Sequence, residues 1–310
     1  MSVTIKEWFR PASSGWGQIF SRSWLGEEPK ALLVIAHGMA EHSGRYGQFA
    51  RFLAEKGFAV YMNDHAGHGR SAQIKGHFAD KNGWECVIQD LHALRAQAQE
   101  AYPGLPLFWM GHSMGSFLSR SYIARYGAGL SGCVLCGTMG KNPGAALGKA
   151  VAAAQEKLMG PHSPGKRLNK LATGSYNRRI PNPVNSSAWL SRDEAVCREF
   201  ESDPLSNFPF TAAGYRDLFT GLLEISSPQW AGRVPKDLPV FLIAGEEDPV
   251  GFYGQGPRQV EGWLRQAGLL EVRLELYPGM RHEILNELGK EQVYQDVLDW
   301  LCLHMPKEPG

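Results

Sequence analysis

A chain of 310 residues with 43% hydrophobic and 20% charged residues has the size and composition of one large soluble domain carrying an insertion, or of two small domains. A net charge of +1 removes any electrostatic reason to expect nucleic acid or an anionic membrane as partner. Five cysteines, an odd number, argue against a disulfide framework, and the start of the chain lacks a basic segment followed by an apolar stretch, so a cytoplasmic protein without a signal peptide or transmembrane segment is expected.

Residues 3–9 and 18–25 read as the strands of a hairpin joined through Pro11-Ala12-Ser13-Ser14-Gly15. Apolar, β-rich runs follow at 31–36, 58–63, 107–110, 133–136, 240–244 and 272–277, continuous or nearly so, as in strands covered on both faces. Between them, residues 45–56, 84–102, 116–126, 257–267 and 292–304 carry apolar residues at helical spacing; in the first, Tyr46, Phe49, Phe52 and Leu53 form one stripe. This alternation predicts an α/β fold with a mostly parallel eight-stranded sheet flanked by helices. It breaks over residues 138–229, which are richer in Pro, Asn, Ser and Gly and contain an amphipathic piece at 145–159 and a short helix at 192–202. About ninety residues are too many for a structureless loop. An inserted cap is expected over 138–229, on a core made of 1–137 and 230–310.

The run 107–110 leads directly into Gly111-His112-Ser113-Met114-Gly115 and then into a helical pattern. Strand, Gly-x-Ser-x-Gly, helix is the layout of a nucleophile elbow, in which a strained turn lifts the serine hydroxyl above the sheet and only glycine avoids a clash two residues to either side. Such a nucleophile needs a base, a group that orients the base, and donors for the oxyanion, in the chain order Ser, acid, His. Asp248 stands just past the run 240–244 and His282 just past 272–277, both in loops at the carboxyl ends of strands, where open α/β sheets place their sites. Glu246 and Glu247 compete with Asp248 for the acid role; Asp248 precedes Pro249 and has the shorter side chain. Backbone N–H groups of Met114, after the nucleophile, and of Met39, in His37-Gly38-Met39-Ala40 after the run 31–36, are the expected oxyanion hole.

The segments His37-Gly38-Met39-Ala40-Glu41-His42-Ser43-Gly44-Arg45-Tyr46, Asp64-His65-Ala66-Gly67-His68-Gly69-Arg70-Ser71, Gly111-His112-Ser113-Met114-Gly115 and Asp203-Pro204-Leu205 together resemble monoacylglycerol lipases and bacterial lysophospholipase-like hydrolases of the serine aminopeptidase S33 group, over residues 15–303. The resemblance implies the α/β-hydrolase fold, a Ser113–Asp248–His282 triad, no cofactor, and cleavage of carboxylic esters bearing one acyl chain. It places Glu41 near the oxyanion loop, in contact with a polar head group or in a salt bridge with a neighbouring Arg, and makes His112 a second candidate for substrate contact. Two departures stand out: Ser116 where the family has a further Gly, and a cap segment 141–183 unlike that of monoacylglycerol lipases.

Two other readings of the same residues exist. A peptidase or amidase would need convergent carboxylates in the cap to hold a free amino terminus, and Glu156, Asp193, Glu194, Glu199, Glu201 and Asp203 are available. A non-catalytic ligand-binding protein could keep the triad. Three further signals lead elsewhere. Cys133 and Cys136 sit three apart in a strand and so face opposite sides, which excludes a shared metal or disulfide. His37, His42, His65, His68 and His77 lack the helical spacing of zinc hydrolases, so no metal is expected. Gly251, Gly254 and Gly256 form no dinucleotide fingerprint. The stripe at 145–159 either faces lipid, giving peripheral membrane contact through the cap, or packs within the cap.

Overall fold

The computed structural model describes residues 2–306. Its elements run β1 (Thr4–Pro11), β2 (Gln18–Leu25), β3 (Ala31–Ala36), α1 (Gly47–Glu55), β4 (Phe58–Asn63), α2 (Gly83–Ala101), β5 (Leu107–His112), α3 (Met114–Tyr126), β6 (Gly132–Cys136), α4 (Ala145–Met159), α5 (Lys166–Thr173), α6 (Glu194–Ser202), α7 (Ala212–Ile225), β7 (Val240–Gly245), α8 (Gln255–Gln266), β8 (Val272–Tyr277) and α9 (Lys290–Leu303). The strands form one sheet in the order β1-β2-β4-β3-β5-β6-β7-β8. β1 pairs with β2 and β2 with β4 antiparallel, and the other five pairings are parallel.

Strand side chains alternate between two apolar cores. Leu32, Val34, Trp109, Leu135 and Leu242 join the core shared with α2, α3, α7 and α8. Leu33, Ile35, Met110, Val134 and Ile243 join the core shared with α1 and α9. Covering both faces is what makes these strands read as unbroken apolar runs. Cys133 lies in the first core and Cys136 in the second, as the strand period requires. At the sheet edge β8 is only half covered, with Val272 and Tyr277 buried and residues 273–276 partly or fully exposed.

Register decides where the site forms. Ala36 pairs with Gly111 and His112 with Cys136, so the chain leaves β3, β5 and β6 at one level and the three following loops emerge side by side. Gly245 pairs with Tyr277, which brings the loops after β7 and β8 to the same edge.

Two helices of the insertion, α5 and α7, carry no clear signal in the sequence. In α7 the glycines 214 and 221 dilute the helical pattern, and packing explains Gly221: a Cβ there would lie 2.1 Å from the Trp84 ring of α2. Thr211 caps the helix by accepting from the Gly214 N–H. α4 packs on α7, and α7 packs on α2 and α3, so the insertion is seated on the core through α7. Among the described residues no helix is long and apolar enough to cross a membrane.

Candidate active site

Ser113 sits between β5 and α3 with φ 54° and ψ −122°, a conformation that costs a non-glycine residue about 1–3 kcal/mol and persists only where the surroundings enforce it. The surroundings are tight. A Cβ on Gly115 would lie 2.0 Å from the Ala36 carbonyl oxygen, and one on Gly111 would lie 2.3 Å from the Gly115 carbonyl oxygen. The Ser113 N–H donates to Cys136 O at 2.9 Å. Its own carbonyl accepts from the Ser116 N–H at 2.8 Å and from the Ser116 hydroxyl at 2.6 Å. Ser116, the departure from the family pattern, therefore adds a bond to the turn.

His282 and Asp248 meet at the edge prepared by β7 and β8. His282 Nδ1 is 2.9 Å from Asp248 Oδ1, and both side chains are almost wholly buried. The approach is oblique, so the contact is an ion-pair separation rather than a linear hydrogen bond. Asp248 Oδ1 also accepts from the Val250 N–H at 2.8 Å, which fixes the carboxylate. Glu246 and Glu247 are exposed, and of the three acids it is Asp248 that meets His282. Among the described residues His282 Nε2 has no hydrogen-bond partner in this conformation; a base-to-nucleophile bond commonly closes only once substrate is bound.

Met114 opens α3, so its N–H has no acceptor within the helix. Met39 lies in the neighbouring loop, which Glu41 holds in place. Glu41 Oε1 accepts from the Gly38 N–H at 2.5 Å and from the Tyr46 hydroxyl at 2.8 Å, and Oε2 accepts from Arg45 at 2.9 Å. Arg45 reaches on to Glu283, beside His282, at 2.5 and 2.7 Å. Burial alone would push the Glu41 carboxyl up, but His112 and Arg45 overcome it and hold the group well below its ordinary value. The same contact raises His112 against the opposing effect of burial.

Glu41 and His112 thus lie beneath the site. Of the two contacts expected for Glu41, the salt bridge with Arg45 is present, and its carboxylate is fully engaged by the protein. His112 Nδ1 is 3.0 Å from the Tyr46 hydroxyl, and Nε2 is 3.3 Å from the His282 carbonyl oxygen. Neither residue offers a free polar atom to a substrate.

The histidine-rich loops form a neutral scaffold behind the segment that carries Met39. The His37 and His65 rings lie 3.9 Å apart, and the His65 N–H donates to His37 Nε2 at 2.9 Å. Burial lowers His65 to about 3 and His68 to about 4, and it also lowers His37. Asp64 accepts from the Ser43 N–H and hydroxyl and from the Arg70 N–H, tying the loop after β4 to the loop after β3. His42 leaves this group and pairs with Asp203 of the insertion at 2.9 Å.

The residues that sequence reasoning missed come from the insertion. The Trp189 ring lies 5.1 Å from His282 and 4.8 Å from Tyr176. The Glu283 N–H donates to Leu190 O at 2.7 Å, and Arg281 donates to the carbonyls of Ala188 and Ser191. Segment 188–191 is therefore stitched to the histidine loop. Two aromatics in a Pro- and Ser-rich stretch were the only available signal.

The serine aminopeptidase S33 family matches residues 27–289 of this chain. A monoacylglycerol lipase of Mycolicibacterium smegmatis is 32% identical over 281 residues, which cover 90% of this chain and 90% of that protein. The human monoglyceride lipase is 28% identical over 298 residues, covering 91% and 86% respectively. Among solved structures, a highly thermostable carboxyl esterase from Bacillus coagulans, in complex with glycerol, aligns with a TM-score of 0.91 at 33% identity, over 97% of this chain and 98% of its own. The fold is that of the α/β-hydrolases, and the chain belongs to the serine aminopeptidase S33 family.

Proposed function

We propose that this protein is a serine hydrolase that cleaves carboxylic esters of single-chain lipids, of the monoacylglycerol or lysophospholipid type, through an acyl-enzyme on Ser113. The observation that carries the reading is the strained Ser113 at the head of α3, with the buried Asp248–His282 pair past the ends of β7 and β8 at the same edge of the sheet. The relatives named as monoacylglycerol lipases and a carboxyl esterase support the substrate class.

The chemistry follows from the roles. His282 Nε2 takes the Ser113 proton as Oγ attacks the ester carbonyl, and Asp248 stabilises the imidazolium. The Met39 and Met114 N–H groups receive the developing oxyanion, each worth ~10²–10³ in rate. Collapse of the tetrahedral intermediate expels the alcohol, which takes the proton from His282. Water, deprotonated by His282, then attacks the acyl-enzyme, releases the fatty acid and restores Ser113.

Residues 138–229 act as the cap, with Trp189 and Tyr176 walling the approach to His282. The peptidase reading finds less support, because the cap carboxylates are dispersed. Asp193 caps α6, Glu194 pairs with Arg198, Glu156 with Arg216, Glu201 with Ser186 and Ser187, and Asp203 with His42. Peripheral contact with a lipid surface is supported by α4, whose outer face exposes Leu147, Val151 and Leu158. Lys149 and Lys157 flank that face, and Lys166, Arg167 and Lys170 follow on α5. A cytoplasmic location fits five free cysteines.

The test compares the protein with Ser113→Ala on p-nitrophenyl esters of graded chain length, monoacylglycerols, lysophospholipids and aminoacyl anilides. Ester turnover that falls on the order of 10⁴–10⁶ in the variant is expected. Equal rates in the two forms remove Ser113 as nucleophile, and turnover of anilides but not esters replaces the lipase reading with the peptidase one.

A further inference from the structure

Away from the serine site, three side chains from two parts of the fold converge. His77 and Asp80 lie in the loop between β4 and α2, and His162 lies in the insertion, between α4 and α5. His77 Nε2 is 3.2 Å from Asp80 Oδ1, and His162 Nε2 is 3.1 Å from the same oxygen. The three donor atoms all lie within 4.8 Å of one another. We propose that His77, Asp80 and His162 form a binding site for a divalent transition-metal ion of the zinc class, which fastens the cap to the core.

The donor geometry fits such an ion. Zinc bound at about 2.0–2.1 Å by imidazole nitrogen and carboxylate oxygen has donor–donor edges of roughly 3.3 Å in a tetrahedron. Two of the three edges are already near that length, and the third needs only a swing of the half-exposed His162 ring. Two imidazoles and one carboxylate are also the donor set that favours zinc and its neighbours over magnesium or calcium.

Hydrogen bonding in the loop prepares His77 as a ligand. Its side chain is 1% exposed, and Nε2 has no hydrogen-bond partner among the described residues, since it meets Asp80 obliquely. Its other nitrogen, Nδ1, is 3.2 Å from Thr211 Oγ1. The Thr211 hydroxyl donates to the Gly76 carbonyl and accepts from the Gly214 N–H, so it meets Nδ1 as an acceptor. Nδ1 therefore carries the ring proton, and Nε2 keeps a lone pair beside a carboxylate oxygen. Two lone-pair donors in that position call for a cation between them, and an outer N–H donated to an oxygen is the usual support of a metal-bound histidine.

The backbone around His162 is equally fixed. The Ala213 N–H donates to Pro161 O at 3.1 Å, and the Ala212 N–H donates to Ser163 O at 2.9 Å, one on either side of the histidine. The Trp16 ring covers the cluster, edge-on to His77 and parallel to His162. The nearby positive charge, Arg216, is matched by Glu156 and Asp217. The site shares no residue with the Ser113 machinery, so it stands or falls independently of the ester-cleaving reading.

The test uses the untagged full chain, stripped with a chelator and titrated with Zn²⁺ by calorimetry and by competition with a zinc-responsive dye. One equivalent should bind, Mg²⁺ should not compete, and Zn²⁺ should raise the melting temperature by several degrees. Asp80→Asn and His162→Gln change exposed side chains; each should weaken binding ~10–100-fold or more and abolish the Zn²⁺-dependent rise, while leaving the zinc-free melting temperature and the zinc-free hydrolysis of a soluble ester unchanged. Absence of stoichiometric binding overturns the proposal. So does binding of equal affinity in both variants, which would place the zinc elsewhere, such as on the free cysteines.

Discussion

Glu41 shows how far a single carboxylate can act from the reacting atoms. It holds the Gly38 N–H at one oxygen and Arg45 at the other, and so couples the loop carrying Met39 to Glu283 beside His282. Glu41→Gln breaks the buried pair with Arg45, at about 3–5 kcal/mol of stability. It also loosens the loop carrying Met39, the proposed oxyanion donor, and a misplacement of about 1 Å costs on the order of 10²-fold in rate. The expected signature in steady-state kinetics on a soluble ester is a fall in kcat with KM little changed; a rise in KM alone would indicate direct substrate contact instead. Asp217 gives a pH prediction. Burial lifts its carboxyl from 3.8 to about 6, with Arg216 opposing. The folded state then binds the proton more tightly than the unfolded chain, so stability falls as pH rises from about 4 to about 6 and stays lower above it, by roughly 3 kcal/mol. Asp217→Asn should be more stable than the parent above pH 6, with the difference vanishing below pH 4, as read from urea midpoints across that range.

At the scale of elements, the strands were legible in the sequence and two of the helices were not. β3, β4 and β8 match their expected ranges, and β5–β7 extend by one or two residues, because a strand buried on both faces leaves an apolar run that local sequence cannot disguise. The helix α7 was hidden by residues chosen for contact. At position 221 helix propensity and packing have opposite signs. Alanine gains up to about 1 kcal/mol in an isolated helix, but here its Cβ would meet the Trp84 ring at 2.1 Å, and overpacking of that kind typically costs 1–3 kcal/mol. Gly221→Ala should therefore destabilise the protein, seen as a lower urea midpoint; a higher one would show that α7 can move away from α2. The Ser113 elbow was legible for the opposite reason. Its glycines at 111 and 115 answer to a local clash, so they leave a motif in the chain itself.

For the molecule as a whole, the insertion carries contacts in three directions. It is seated on the core through α7, stitched to the His282 loop through residues 188–191, and open to solvent along α4. Of the two roles that the sequence offered for the stripe at 145–159, packing within the cap is present on one face, and the lipid contact proposed above rests on the other. Ala145, Gly148 and Ala152 form its buried face, while Leu147, Val151 and Leu158 remain exposed on another. If the exposed face meets lipid, Leu147→Glu with Leu158→Glu should reduce co-sedimentation with anionic vesicles and hydrolysis of vesicle-borne monoacylglycerol. Rates on a short soluble ester should stay the same, and unchanged vesicle binding would remove the membrane role of α4.

The sequence by itself determined the sheet, the order of Ser113, Asp248 and His282, and the family. Each of these depends on patterns that are local along the chain: period-two or unbroken apolar runs, glycines flanking a strained turn, and single polar residues just past strand ends. Only the tertiary structure decided which acid faces His282, that Glu41 and His112 support the loops from below, and that Trp189 stands beside the histidine. The same holds for His162, which reaches Asp80 from 82 positions further along the chain. These are meetings between residues distant in sequence, set by strand register and by the seat of the cap, and a pairing across space leaves no periodic trace in one dimension.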